Sequence, residues 1–131
     1  MRRDMELIRE LLFRLEAYPL GMGDAVTITP ESPAMAVPDY DAVQINYHMD
    51  LIHEAGFIND GNCSQPMLGF IFCGLTWKGH EFVDTLRSPE IWRKTKEGAS
   101  KLGSVGFDVI LSMGKAYAKQ FAQEKLGLIL P

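Results

Sequence analysis

The stretch DAVQINYHMDLIHEAGFINDGNCSQPMLGFIFCGLTWKGHEFVDTLR, residues 41–87, decides the fold. Val43, Tyr47, Leu51 and Ala55 recur every four residues, and Ile45, Met49 and Ile52 widen the stripe, so 41–55 reads as one continuous helix. Gly56 supplies a helix stop without a β-carbon penalty. Phe57-Ile58 is short, apolar and extended, and Asn59-Asp60-Gly61-Asn62 is a turn. Phe70–Leu75 is β-rich, and 57–58 and 70–75 are expected to share a short antiparallel sheet. Thr76 is placed to cap the next helix. Helix, strand, turn, strand, helix is the order in which a winged-helix domain, a helix-turn-helix variant, presents its third helix and wing. Modules that bind no nucleic acid share that order.

Upstream, Leu7, Ile8, Leu11, Leu12 and Leu15 make the inner face of a helix over Asp4–Ala17, with Asp4 as its cap and Tyr18-Pro19 as its end. Val26-Thr27-Ile28-Thr29 alternates as a first strand. Pro30, Pro33 and Pro38 leave no room for a full second helix; it is expected to be absent, a single turn or fused to the third. Asn62–Gly69 stands where the wing would be and contains no cation. Phe70–Cys73 is apolar throughout, which suggests a strand covered on both faces.

Downstream, Phe82, Val83 and Leu86 form the inner stripe of a helix over Thr76–Arg87, with Trp77 expected to pack across the sheet edge. Ser88-Pro89 restarts a helix as cap and first position, and Gly98 is expected to end it. Leu102–Gly106 reads as a joint. A last helix over 107–125 carries Phe107, Ile110, Leu111, Gly114, Ala118, Phe121 and Ala122 on one stripe, followed by the apolar tail Leu128–Leu130. The fold class is therefore α+β, mainly helical. Residues 1–131 make a single domain, with a winged-helix-like core and small antiparallel sheet in 1–87 and a helical extension in 88–131.

Apolar content of 47% and charged content of 23% describe an ordinary globule. No run is long enough to cross a membrane, no signal peptide is visible, and Cys63 and Cys73 are too few for a disulfide scaffold. These features point to a cytoplasmic protein with reduced thiols. The net charge of −4 is unevenly placed. Residues 21–60 carry Asp24, Glu31, Asp39, Asp41, Asp50, Glu54 and Asp60 with no Lys or Arg. Residues 76–101 are mildly basic, with Arg93, Lys94 and Lys96 clustered. Duplex DNA is held chiefly through Lys and Arg, so the helix over 41–55 has the wrong sign to read it.

No catalytic, cofactor or metal motif emerges. His48 and His53 are five apart and fall on different helix faces. Cys63, Cys73 and His80 match no common zinc spacing, and the G-M-G of residues 21–23 lacks the lysine of a phosphate loop. Glu81 and Asp84 share a face, as solvent-facing acids often do. Gln44, Asn46, His48, Arg93, Lys94 and Lys96 remain as a candidate interaction surface. Tyr47, Gly56, Thr76, Trp77, His80 and Trp92 are assigned structural roles, with both tryptophans at least half buried and His80 hydrogen-bonded.

The opening MRRDMELIRELLFRLE, the segment YHMDLIHEAGFI and the segment LTWKGHEFVDTLRSPEIWRKTK together carry a joint pattern. It comprises Tyr47-His48, Ala55-Gly56, Leu75 through Phe82, and Trp92. In this the chain resembles a family of small bacterial and phage-borne proteins designated domain of unknown function 2513. The resemblance covers about residues 1–20 and 40–125. It implies a winged-helix-like fold and supplies no catalytic residues. Three functional readings follow. The first is a non-catalytic regulatory or protein-interaction module, whose partners include a second copy docked through the last helix. The second is a dimeric DNA-binding regulator. The third is a small enzyme or metal protein, for which no motif speaks.

Overall fold

The computed structural model describes residues 1–103 and 106–127. Along the chain run α1 (Met5–Ala17), β1 (Val26–Ile28), a 3₁₀ turn (Pro33–Met35), α2 (Ala42–Glu54), β2 (Phe70–Phe72), α3 (Trp77–Thr85), α4 (Pro89–Leu102) and α5 (Phe107–Lys125). The protein is mainly helical, with a two-stranded antiparallel sheet, in a winged-helix-like arrangement with extra helices. The chain divides into two compact units, Met1–Glu81 and Phe82–Pro131.

In the first unit α1 begins where Asp4 accepts the backbone N–H groups of Glu6 and Leu7 at 2.9 and 3.3 Å. These are two of the donors that a helix start leaves without an intrahelical acceptor. Leu7, Ile8, Leu11, Leu12 and Leu15 are buried as their spacing predicts. Each such burial stabilises the fold by about 1.5–3 kcal/mol before the cost of ordering the chain. The prolines reduce the second helix to the single 3₁₀ turn, which buries Met35.

α2 opens with a reciprocal cap. The Asp41 carboxylate accepts the Gln44 N–H at 2.8 Å, and the Gln44 side chain accepts the Asp41 N–H at 2.9 Å. Ile45, His48, Met49 and Ile52 face inward. Gly56 follows at φ +77°, the left-handed conformation that ends the helix.

The sheet differs in part from the expectation. β2 pairs with β1 in the register Val26↔Phe72, Thr27↔Ile71 and Ile28↔Phe70, while Phe57-Ile58 contributes only the isolated bridge Ile58↔Leu75. Ile28, Phe70 and Phe72 point into the core and Thr27 outward, so β2 is not covered evenly on both faces. The apolar run of four residues hid this alternation, because Ile71 is half-buried rather than polar. The 62–69 segment forms no strand. Instead the Ile71 N–H donates to Gln65 Oε1 at 2.9 Å, which closes the loop onto the outer edge of β2.

α3 is locked to the end of α2 by backbone contacts. The Thr76 hydroxyl donates to the Gly56 carbonyl at 2.6 Å, and its N–H donates to the Phe57 carbonyl at 3.0 Å. The same hydroxyl accepts the Gly79 N–H at 3.1 Å, which is the expected cap. A β-carbon on Gly79 would lie 2.2 Å from the Phe57 oxygen, so this approach requires glycine.

In the second unit Ser88 and Pro89 start α4 as anticipated. Gly98 does not end the helix, which continues to Leu102 with Gly103 at φ +83° beyond it. A β-carbon on Gly98 would meet Met113 Cε at 2.4 Å and the Tyr117 hydroxyl at 2.7 Å. Its glycine serves the close approach of α4 to α5, not termination. Phe82 meets Phe107 edge to face, with ring centroids 6.0 Å apart, and Gly114 admits Leu86 and Thr85. Ser104 and Val105, within the expected joint, and the Leu128–Leu130 tail lie outside the described residues.

Candidate interaction surface

Three polar side chains of α2 were candidates to face a partner, and each is engaged inside the first unit. Gln44 completes the reciprocal cap with Asp41. Asn46 Oδ1 accepts the Gly69 N–H at 3.1 Å, which ties the end of the 62–69 loop to α2. His48 is 2% exposed and so cannot line an outer surface. Its Nδ1 lies 2.7 Å from the Gln44 carbonyl, and its Nε2 accepts the Asp4 N–H at 2.8 Å. That pairing assigns the ring proton to Nδ1. The helix period places His48 between Ile45 and Ile52 on the inner face, and this was the sequence signal for its burial.

Around His48 a polar cluster joins three segments. The Tyr40 hydroxyl donates to Asp4 Oδ2 at 2.6 Å. This bond, ahead of partial burial and the nearby acids, pushes the Tyr40 phenol up to about 12. Tyr47 meets the His48 ring edge on, with centroids 5.4 Å apart. Sequence reasoning assigned Tyr40 no role, because its partner Asp4 lies thirty-six positions away.

What α2 turns outward is Asp41, Val43, Asp50 and Glu54, with Val43 67% exposed. Loss of hydration, followed by repulsion from Glu54, raises the Asp50 carboxyl above its ordinary range. Beside the Gly69–Asn46 tie the loop exposes Met67 and Leu68. Between Arg14 and Lys78 the chain contains no Lys or Arg. The outer face of α2 and the loop is therefore apolar and acidic. At the other end of α2, His53 Nε2 lies 2.8 Å from Asp60 Oδ2, and this bond holds the Asp60 carboxyl below its usual range.

The remaining candidates divide between the units. Arg93 and Lys96 are exposed and Lys94 half-buried, all on α4 in the second unit. Lys96 Nζ stands 5.5 Å from the Trp92 ring centroid, and Trp92 is 4% exposed. Trp77 overturns its expectation, being 86% exposed. It precedes Phe82, Val83 and Leu86 by five, six and nine positions, roughly 140–240° around the helix, so it lies opposite the buried stripe. His80 is exposed as well; its backbone N–H donates to the Thr76 carbonyl at 2.9 Å near the helix start, while its ring makes no hydrogen bond among the described residues. Among those residues no group of His, Cys, Asp or Glu is placed to hold a metal ion. No helix among them is long and apolar enough to cross a membrane.

The profile of the family described as Hypothetical protein (DUF2513) matches residues 2–106. The chain belongs to this family. The matched span runs from α1 through α4. An uncharacterized protein of Haemophilus influenzae is a further relative, 28% identical over 127 residues. Those residues cover 96% of this chain and 99% of that protein, so the similarity extends through α5. No solved structure matches the chain.

Proposed function

We propose that this DUF2513 protein is a non-catalytic interaction module of the cytoplasm. In this reading the outer face of α2 and the 62–69 loop dock a protein partner with a basic, partly apolar surface. The observation that carries it is the fate of the α2 polar side chains. Gln44, Asn46 and His48 are engaged within the fold, and the exposed remainder is Val43 with three carboxylates. Reading base edges needs anchoring cations beside the donors, and this helix, whose Gln44 and Asn46 oxygens are already engaged, carries no Lys or Arg. Exposed Met67 and Leu68, together with the exposed carboxylates of α2, suit a partner that supplies both cations and apolar side chains.

The test is photo-crosslinking in cells, with a benzophenone amino acid at Val43 or at Met67. The expected result is a discrete protein adduct at both positions that disappears on charge reversal of Asp50 and Glu54. Micromolar binding of the pure protein to mixed duplex DNA with a steep salt slope, unaffected by Arg93→Ala and Lys94→Ala, would overturn the reading.

A second reading rests on α4, where Arg93, Lys94 and Lys96 lie within four positions. Should DNA bind, these cations are the contacts we assign to it, and their removal would abolish binding. Self-association through α5 is the third element of the proposal. On that helix Ile110 and Gly114 are buried, Val109 is 42% exposed, and the rest of the apolar stripe is half-covered. Sedimentation at micromolar concentration that finds only the 14.7 kDa species would remove it.

A further inference from the structure

We propose that Cys63 and Cys73 are a redox-modification site, a thiol pair that closes reversibly to a disulfide and clamps the 62–69 loop. The two residues are ten positions apart, yet their sulfurs flank one point in space. A β-carbon on Gly61 would stand 3.0 Å from Cys73 Sγ and 3.5 Å from Cys63 Sγ. Gly61, at φ +65°, places only hydrogen there.

Backbone bonds on either side of Gly61 create this convergence. The Cys63 N–H donates to the Asp60 carbonyl at 3.2 Å, which closes a turn, and the Cys73 N–H donates to the Asn59 carbonyl at 2.8 Å. The turn is reinforced by its own side chains, since Asn59 Oδ1 accepts the Gly61 N–H and Asp60 Oδ1 accepts the Asn62 N–H. The backbone of each cysteine is thus held by a residue immediately before Gly61, and the Cys63 sulfur lies 3.8 Å from the Gly61 carbonyl oxygen. They differ in access, with Cys63 exposed and Cys73 half-buried. That asymmetry suits an attacking thiol that meets the oxidant and a resolving thiol that follows.

The oxidant is a small-molecule disulfide such as glutathione disulfide. The Cys63 thiolate attacks one of its sulfurs and forms a mixed disulfide, and one glutathione leaves as thiolate. The Cys73 thiolate then attacks the Cys63 sulfur and expels the second glutathione. One protein S–S bond has formed, two thiol protons have gone to solvent, and one glutathione disulfide has been reduced to two glutathiones. Glutathione in excess runs the same steps backwards, as expected for a disulfide that is transient in a reducing compartment.

The experiment treats the native protein with glutathione disulfide, blocks free thiols with iodoacetamide and measures intact mass and chymotryptic peptides, since Phe70 and Phe72 allow cleavage between the two cysteines. The expected product is lighter by two hydrogens, takes up no iodoacetamide, yields a linked Cys63–Cys73 peptide and returns to two thiols with dithiothreitol. Cys73→Ser should stop at the glutathione adduct on Cys63, which reports the first step alone. A native protein that also stops at that adduct with Cys73 still alkylated, or that forms intermolecular disulfides instead, would overturn the proposal. Cys73→Ser with an unchanged thermal midpoint verifies that the fold is intact in the comparison. The outcome does not depend on any partner of α2.

Discussion

His48 Nε2 accepts the backbone N–H of Asp4 at 2.8 Å, across forty-four positions of sequence. A ring buried in α2 thereby anchors the cap residue of α1. Substitution His48→Ala leaves that N–H without an acceptor and opens a cavity in the core. A loss of about 2–3 kcal/mol is expected, read from the urea midpoint at unchanged slope. His53→Ala, which removes the partly exposed bond to Asp60 and a tilted contact with the Phe70 ring, should move the midpoint less.

Tyr40 gives a pH signature. Its hydrogen bond to Asp4 favours the neutral phenol in the folded state, so the folded group titrates near about 12, above its ordinary 10.0. The stability from this bond is complete below the unfolded value and is lost as pH rises through the folded one. Ultraviolet titration should show a late phenol ionisation from Tyr40, and Tyr40→Phe should remove that step. A Tyr40→Phe protein with the late step intact would refute the assignment.

Two helix glycines predict opposite outcomes. At Gly79 a β-carbon meets the Phe57 carbonyl oxygen at 2.2 Å, and a backbone atom fixed by its own bond to Thr76 cannot yield cheaply. Gly79→Ala should cost about 2 kcal/mol or more, despite the better helix propensity of alanine. At Gly98 the obstacles are the ends of the Met113 and Tyr117 side chains, which can rotate away. Gly98→Ala should fall near neutral, because the propensity gain of about 1 kcal/mol offsets the repacking. Parallel urea melts decide the comparison.

Loss of hydration and then repulsion from Glu54 raise the Asp50 carboxyl above its ordinary range. Its raised folded pKa makes the charged form the unfavourable one. Asp50→Asn should therefore raise the thermal midpoint slightly at pH 7, and the gain should vanish as acid protonates the native carboxyl. A midpoint that falls at pH 7 would show that the carboxylate stabilises the fold.

Much of this fold was legible in local pattern. Capping by Asp4, Thr76 and Ser88, the inner face of α1 and the reduction of the second helix by prolines all follow from residues within a few positions of one another. The α2 stripe read through Val43, Tyr47, Leu51 and Ala55 is not its inner face, since Val43 is exposed and the buried residues are Ile45, His48, Met49 and Ile52. The misreadings have different causes. Gly98 resembles a helix stop, and only the approach of α5 reveals it as a contact. Trp77 reads as core by its chemistry, whereas its angle from Phe82, Val83 and Leu86 puts it outside, and that angle was available in the spacing. The proximity of Cys63 to Cys73 and of Tyr40 to Asp4 arises from chain folding, which no periodicity encodes. For the candidate surface, Gln44, Asn46 and His48 were recognised by type, but their engagement depends on partners that include Gly69 and Asp4.

The pairing of β1 with β2 also fixes an order of events during synthesis. Val26–Ile28 leaves the ribosome well before Phe70–Phe72 exists. Until then its backbone edge has no strand to meet, and the first unit has only local helices to form. Folding of that unit must wait for a contact closed over more than forty residues, which is the kind that slows folding and lengthens exposure of apolar surface. The acidic stretch free of cations, which separates the two strands, keeps the waiting chain charged and single-signed. Nascent copies on one messenger would then repel one another through the same carboxylates that later mark the outer face of α2.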